Sequence, residues 1–324
     1  MENNFWRQLK ELNKPVLAMA PMAGFTDIAF RQICADYGAD VTYSEMASVT
    51  ALFYHQNNLA DNETLKILRW DKKREHKFVV QLFGSNPDHF AVAAKIVSIE
   101  IKPHGIDINF GCPVGKVLKQ GSGAELMKNL DQAREVIKAV LSATSLPVSI
   151  KIRAQSGDAT ALEFMKNISD LPIAALMIHG RTLKQGFVGV PDFSLVEKIR
   201  PYFKGVILMN GGIVNLETAQ EALNLSKADG LGLARGGLAR PWLFQEIKEG
   251  KNIEYNQAQI SKLLYRHASL LVDLKGEEFL VEWRKHACWY VQGLPGASKL
   301  RSQLVQVSHL TELENILKSY DLNN

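Results

Sequence analysis

The chain is predicted to fold as a (β/α)₈ TIM barrel with a small all-helical domain at its C-terminal end. Short β-branched runs alternate with helical patterns as far as residue 247. Eight such runs fall within roughly 240 residues, the number and length that this barrel requires. Beyond residue 257 the strand alternation stops and only helical periodicity remains.

The strands are expected at Val16–Met19, Val41–Ser44, Phe78–Phe83, Gly105–Asn109, Val148–Ile152, Ala175–His179, Val206–Met209 and Gly230–Leu233. Helices are expected between them at Asp27–Tyr37, Pro87–Ser98, Asp131–Ala143, Ala159–Ser169, Leu216–Leu225 and Pro241–Ile247. Several carry apolar residues at helical spacing, as in Ala133, Val136, Ile137, Val140 and Leu141. Asp131 and Asn215 stand where N-caps belong. A doubly wound open sheet is the competing architecture. It is disfavoured because no G-x-G-x-x-G follows the first strand, and Gly230-x-Gly232 lacks the third glycine. The polar stretch Lys248–Gln257 reads as a linker. It separates a barrel domain over 1–247 from a helical domain over 258–324, with helices expected at Ala258–Leu274, Glu277–Gln292, Lys299–Val307 and Leu310–Tyr320.

With 324 residues, 46% of them apolar, there is room for a substantial core. The cysteines at 34, 112 and 288 are few, far apart and odd in number, which argues against a disulfide framework and for a reducing, cytoplasmic setting. No metal-type spacing such as C-x-x-C is present, so no metal is expected. Met1 to Pro15 lacks the apolar core of a signal peptide. No stretch approaches the ~20 apolar residues of a membrane span. A net charge of +4 permits a nucleic-acid partner without requiring one.

Barrel chemistry is built at the C-terminal strand ends. There the sequence places Pro21-Met22-Ala23, then Glu45 and Met46, Gln81, Asn109 and Cys112, Lys151 and Arg153, His179 and Arg181, Asn210-Gly211-Gly212, and Ala234-Arg235. Glycine-rich turns after the last two strands, with Arg235 as a clamp, suit a phosphate, because backbone N–H groups reach an anion only where side chains are absent. Lys151 reads as a Schiff-base nucleophile, a cation near a flavin, or a salt-bridged structural residue. Gln81 reads either as functional or as satisfying backbone groups. Arg153 lies two residues along the same strand as Lys151, and two cations on one interior face call for an anionic guest. Cys34 and Cys288 read as small apolar fillers, whereas Gly111 and Pro113 place Cys112 in a loop. A thiol of ordinary pKa, ~8.5, is protonated at neutral pH and is able to donate a proton. Behind it the glycine-rich loop Gly115–Gly123 carries Lys116 and Lys119, placed to meet phosphates. The window Trp283–Thr311 holds no Asp or Glu, but does hold Arg284, Lys285, His286, Lys299, Arg301 and His309 among aromatics, which suits RNA. The bland alternative is a solvated face over buried tryptophans, and for the aromatics it is preferred.

Seven motifs then occur in one order: Met19-Ala-Pro-Met-Ala-Gly-Phe-Thr-Asp27, Val80-Gln-Leu-Phe-Gly-Ser85, Ile106-Asp-Ile-Asn-Phe-Gly-Cys-Pro113, Lys151-Ile-Arg153, His179-Gly-Arg-Thr182, Asn210-Gly-Gly-Ile213 and Ala234-Arg-Gly-Gly-Leu-Ala-Arg-Pro-Trp242. Together they resemble the tRNA-dihydrouridine synthases, and the tail from Arg284 to Ala297 is most similar to the bacterial B-type subgroup. The resemblance implies an FMN-binding barrel, a helical tRNA-binding domain and reduction of a D-loop uridine. It further implies that hydride passes from FMN to C6, that a proton passes from Cys112 to C5, and that NADPH (or NADH) recharges the flavin. It implies that Pro21, Met22 and Ala23 line the flavin ring, and that Gln81 and Lys151 bond its polar edge. His179 would sit near the phosphate end, and Asn210, Gly211, Gly212, Ala234 and Arg235 would hold the phosphate. Asn109, Arg153 and Arg181 are implied to hold the uracil. Many relatives have Gly where Ala234 stands here, with little expected effect. Subgroup likeness points to position 17 of the D-loop, and a monomer is expected. The competing functions are an FMN barrel acting on a free metabolite, an aldolase-type barrel using Lys151, and a non-catalytic RNA-binding protein.

Overall fold

The computed structural model describes residues 4–59 and 62–322, so the outermost ends of both expected domains lie outside the described residues. Eight strands form the barrel: β1 (Val16–Met19), β2 (Val41–Ser48), β3 (Phe78–Phe83), β4 (Gly105–Phe110), β5 (Val148–Arg153), β6 (Ala175–His179), β7 (Val206–Asn210) and β8 (Gly230–Leu233). Neighbours pair in parallel, and β8 closes on β1, which excludes the open doubly wound sheet.

Alternation along each strand sorts its side chains. On β4, Ile106, Ile108 and Phe110 face outward into the apolar layer under the helices, while Asp107 and Asn109 are buried on the other face. The lower barrel interior is apolar: Tyr43, Val79, Met177 and Leu208 meet Phe5 and Trp6 of an N-terminal helix, Phe5–Glu11, that plugs the base. Toward the C-terminal strand ends the inward positions turn polar, with Gln81, Asn109, Arg153, His179 and Asn210 all buried.

Several boundaries differ from expectation for local reasons. Strand β2 runs on to Ser48 through a register shift between Tyr43 and Met46, which re-aims the strand at the mouth. Asn129, not Asp131, caps the helix Leu130–Ala143 by accepting from Gln132 N–H; Asp131 falls inside the first turn, where a carboxylate favours the helix dipole. Asn215 caps Leu216–Ser226 as expected, in a reciprocal box with Thr218. The expected helix Ala159–Ser169 begins at Ala161 because Gln155–Ser156 and Ala159–Thr160 pair as a small ribbon. After Cys112, the expected glycine-rich loop is instead a helical turn, Gly115–Leu118, followed by a 3₁₀ turn, Gly123–Lys128.

Past the barrel, the helices Gln257–Lys275, Leu280–Tyr290, Ala297–Leu304 and Leu310–Leu322 follow one another. The expected linker is shorter than Lys248–Gln257: the helix Leu243–Glu249 takes its first residues, and Asn256 caps the next helix. Leu264, Leu271, Trp283 and Leu304 build a second core, which Ala29, Ile33 and Trp242 of the barrel side join. The helical region is thus packed onto the helix Ile28–Asp36 through shared apolar burial.

A polar seam runs beside it. Asp27 Oδ1 caps Ile28–Asp36 by accepting from Phe30 N–H at 3.0 Å. Its Oδ2 lies 3.3 Å from His286 Nε2, and His267 Nδ1 meets the Tyr290 hydroxyl at 2.9 Å. Asp27, His267 and His286 bring ligand-type atoms within 4.8 Å of one another, the one metal-compatible grouping among the described residues. Burial pushes the Asp27 carboxyl up, but the His286 hydrogen bond and charge, His267 and the Phe30 N–H together hold it well below the usual range. Burial lowers His267 to about 3, helped by the His286 charge. Both folded values lie below the unfolded ones, so their contributions exist above the unfolded pKa values and are lost as pH falls. Acid is therefore expected to loosen this junction, beginning as pH drops below the unfolded histidine value, ~6.5. Fluorescence of the buried Trp283 against pH checks this, and a His267→Gln variant should show a smaller acid loss.

Candidate active site

The first strand-end loop begins directly after Met19. The Phe25 and Thr26 N–H groups donate to the Met22 carbonyl at 3.0 Å, a tight turn that holds Pro21, Met22 and Ala23 at the mouth. Gly24, at φ +75°, donates its N–H to the Glu45 carboxylate. Burial raises the pKa of Glu45 against the lowering by that bond. The Lys285 ammonium lies 5.4 Å from the Phe25 ring, so the helical region reaches this loop. The sequence marks Glu45 only as a strand end; its brace on Gly24 crosses between strands and has no local signature.

Asn109, the next-to-last residue of β4, organises the cysteine loop. Its Oδ1 accepts from the N–H groups of Gly111 and Cys112, both at 2.9 Å. Cys112 is partly buried and unpaired. Burial pushes its thiol pKa up, against lowering by the Val114 backbone and by Lys151 and Arg153. The sulfur therefore stays protonated at neutral pH. Val114, Lys116 and Lys119 are exposed on the segment that follows it. Cys34 is fully buried on its helix, as expected of a filler, and Cys288 is partly buried.

Gln81 does not serve stray backbone groups. Its Nε2 donates to Asp107 at 2.7 Å and its Oε1 accepts from Asn109 at 2.8 Å. Burial and the neighbouring Arg153 charge lower Lys151 to about 8, against raising by Asp107. Arg153 is more committed than the sequence implied: Nε donates to the Gly111 carbonyl at 2.8 Å, and Nη1 donates to those of Thr182 and Gly186 at 3.2 and 3.1 Å. It therefore clamps the cysteine loop to the loop after β6, and among the described residues no hydrogen bond engages Nη2. Arg181 Nε likewise holds the Gly189 carbonyl at 2.8 Å. Phe187, exposed on the same loop, lies 4.6 Å from the Arg235 guanidinium.

His179 is buried, and its Nε2 has no partner among the described residues. Burial, then Lys151, Arg153, Arg181 and Arg235, push its pKa far down, so the imidazole is neutral. Gly211, at φ +107°, lies so close that a Cβ there would come within 2.6 Å of His179 Cδ2. Asn210 ties β7 to β8 through Nδ2 to the Gly232 carbonyl at 2.6 Å. Ala234 has φ −119°, outside the left-handed region that would demand glycine. A neutral imidazole with Nε2 unpartnered among the described residues thus stands among four cations, beside backbone kept bare of side chains, an arrangement able to take a polar anion.

In the helical tail, the expected basic face is partly consumed by packing. Trp283, His286 and Tyr290 are buried. Arg284 holds the Val307 carbonyl at 2.9 Å, and His309 meets Glu277 at 3.0 Å.

Fold and site together define a (β/α)₈ barrel whose mouth brings a partly buried thiol together with buried cations and glycine-rich turns. The family model described as Dihydrouridine synthase (Dus) matches residues 18–323. A probable tRNA-dihydrouridine synthase 1 of Synechocystis is 32% identical over 92% of this chain and 84% of its own. The tRNA-dihydrouridine synthase B of Pasteurella multocida is 32% identical over 85% of this chain and 83% of its own. The chain belongs to the dihydrouridine synthase family. Among solved structures, the old yellow enzyme from Trypanosoma cruzi aligns with TM-score 0.53 at 13% identity, over 75% of this chain and 91% of its own. The likeness at that identity is one of fold. No helix among the described residues is long and apolar enough to cross a membrane.

Proposed function

We propose that this chain is an FMN-dependent tRNA-dihydrouridine synthase that reduces the C5–C6 bond of a D-loop uridine, with NADPH as the ultimate donor. The observation that carries the reading is the pairing, at one barrel mouth, of the Cys112 thiol held protonated by burial with the cradle around the unpartnered His179 Nε2. The residues fit a flavin mononucleotide. Pro21, Met22 and Ala23 would flank its ring, Gln81 and Lys151 would bond its polar edge, and Asn210, Gly211, Gly212, Ala234, Arg235 and His179 would take the phosphate end. A reduced flavin held by these residues would supply the hydride equivalent for C6 of the uracil. The chain supplies the rest. Asn109, the free Nη2 of Arg153 and Arg181 hold the base, and their donors offset negative charge developing on its carbonyl oxygen. Cys112 delivers the proton to C5, completing the addition of two hydrogens across the double bond. Lys116 and Lys119, exposed on the segment after Cys112, would meet RNA phosphates flanking the target. The base must leave its stack to reach this mouth.

Dihydrouridine mapping in tRNA from a strain lacking this gene tests the assignment. Loss at one D-loop position, with position 17 expected, supports it; an unchanged map contradicts it. The cradle has its own test. Gly211→Ala forces a side chain onto positive φ and into His179, a strain of ~1–3 kcal/mol. Flavin affinity is expected to fall about 5–150-fold, read as flavin lost on dialysis.

A further inference from the structure

Asp107 is fully buried in the barrel interior, below the mouth, and the chemistry above assigns it no part. Its register partners are Gln81 on β3 and Ser149 on β5, and all three are buried. Ser149 Oγ donates to Asp107 Oδ1 at 2.6 Å, and Gln81 Nε2 donates to Asp107 Oδ2 at 2.7 Å. Asn109 Nδ2 then donates to Gln81 Oε1 at 2.8 Å, and Asn109 Oδ1 accepts from Gly111 and Cys112 N–H at 2.9 Å.

The two ends of this chain of bonds fix everything between them. An amide can turn either way round, because its oxygen and nitrogen are similar in shape and opposite in role. A carboxylate only accepts, so Gln81 must turn its NH₂ toward Asp107 and its oxygen toward Asn109. Asn109 must then show its own NH₂ to Gln81, which leaves its oxygen for two backbone donors. Were either amide reversed, donor would face donor at a buried site, a costly arrangement. We propose that Asp107 is a positioning residue that, through the amides of Gln81 and Asn109, holds the Gly111–Cys112 backbone and so the placement of the Cys112 sulfur. The consequence for turnover rests on Cys112 being the proton donor; the placement itself does not.

The prediction separates polarity from mere filling of space. Asp107→Asn can keep its oxygen toward Gln81 and turn its NH₂ to Ser149 Oγ, which is able to accept, so the order of donors survives. Asp107→Ala removes the acceptor and frees both amides. In the flavin-loaded enzyme, iodoacetamide labelling of the Cys112 peptide, followed by mass spectrometry, reports the placement. Single-turnover oxidation of the reduced enzyme by saturating unmodified tRNA reports its use. For Asp107→Ala, labelling is expected to rise and single turnover to fall, each by about tenfold. Asp107→Asn should stay near the parent protein. Asp107→Ala combined with Asn109→Ala should be no worse than Asn109→Ala alone, since both break the same chain of bonds. Unchanged labelling in Asp107→Ala, or effects that multiply in the double variant, would overturn the proposal.

Should Asp107→Ala not fold, acid provides the second test. Burial pushes Asp107 up to about 6, against lowering by Gln81, Ser149 and Lys151. Lys151 on β5 and the Tyr43 hydroxyl on β2 are the titratable groups facing it; Gln81 and Ser149 are neutral. Protonation makes one Asp107 oxygen a donor, but Ser149 Oγ is able to accept it, so the other oxygen stays turned to Gln81 as in the Asn variant. The labelling ratio of parent to Asp107→Asn should therefore stay flat as pH falls through that range, and a ratio that climbs would count against the proposal. Full turnover by Cys112→Ala would remove the acid role and leave these labelling outcomes standing, so the two failures are distinguishable.

Discussion

Replacing Cys112 by alanine is expected to cut dihydrouridine formation about 10²–10⁴-fold while flavin stays bound. The sulfur lies among groups that place it and keep its proton. Asn109 grips the backbone at Gly111 and Cys112, and Arg153 locks the Gly111 carbonyl to the loop after β6. Gly123, at φ +62°, packs so close that a Cβ there would come within 2.9 Å of the Cys112 carbonyl. Such fixed surroundings suit a group that must meet C5 of a base at one angle. Because burial raises the thiol pKa, the acid form persists through neutral pH, and activity should fall only at alkaline pH as the thiolate forms. Reduction of the flavin by NADPH alone should be untouched in the alanine variant. Rapid-mixing kinetics of the two half-reactions checks this, and full turnover by Cys112→Ala would refute the acid role.

The second large effect is on stability. Arg31 and Glu75 form an ion pair at 2.6 Å with both side chains fully buried. The guanidinium also donates to the Thr26 and Arg69 carbonyls at 2.8 and 2.6 Å, and Thr42 Oγ1 donates to Glu75 at 2.9 Å. These bonds tie the first barrel helix, strand β2 and the segment before β3 together beside the junction with the helical region. Glu75→Ala would leave a buried guanidinium without its counter-charge, at a cost of ~3–5 kcal/mol. The denaturant midpoint should fall accordingly. A loss under ~1 kcal/mol would mean that water reaches the pair. Replacing both partners with apolar residues of similar volume should restore much of the loss, since desolvation of the two charges offsets most of their attraction.

The barrel was legible because each strand is a short β-branched run with its own turn signals. Four of the eight strands, Val16–Met19, Phe78–Phe83, Ala175–His179 and Gly230–Leu233, have the bounds expected from sequence. The boundaries that moved did so through tertiary effects: the β2 register shift, and the ribbon that delays Ala161–Asn167. The short helix Val49–Tyr54 escaped notice because six residues give too little periodicity to read. At the site, the strand-end rule assembled the mouth residues in advance. What it could not show was which donors were already engaged. The commitment of Arg153 to three carbonyls depends on loops from distant parts of the chain. Asp107 did carry a signal: it lies two residues before Asn109, on the same inward face, in a strand otherwise apolar. Lys285 reaches the first loop from a separate core, which no local pattern encodes.

The central claim is that Cys112 and the cradle around His179 serve one reaction on RNA. It is tested most directly by titrating the reduced protein, free of NADPH and oxygen, with a tRNA transcript lacking dihydrouridine. The claim predicts that oxidised flavin absorbance returns and that one dihydrouridine forms for each flavin reoxidised. Reoxidation without dihydrouridine, or a purified protein with no visible flavin bands to begin with, would contradict it.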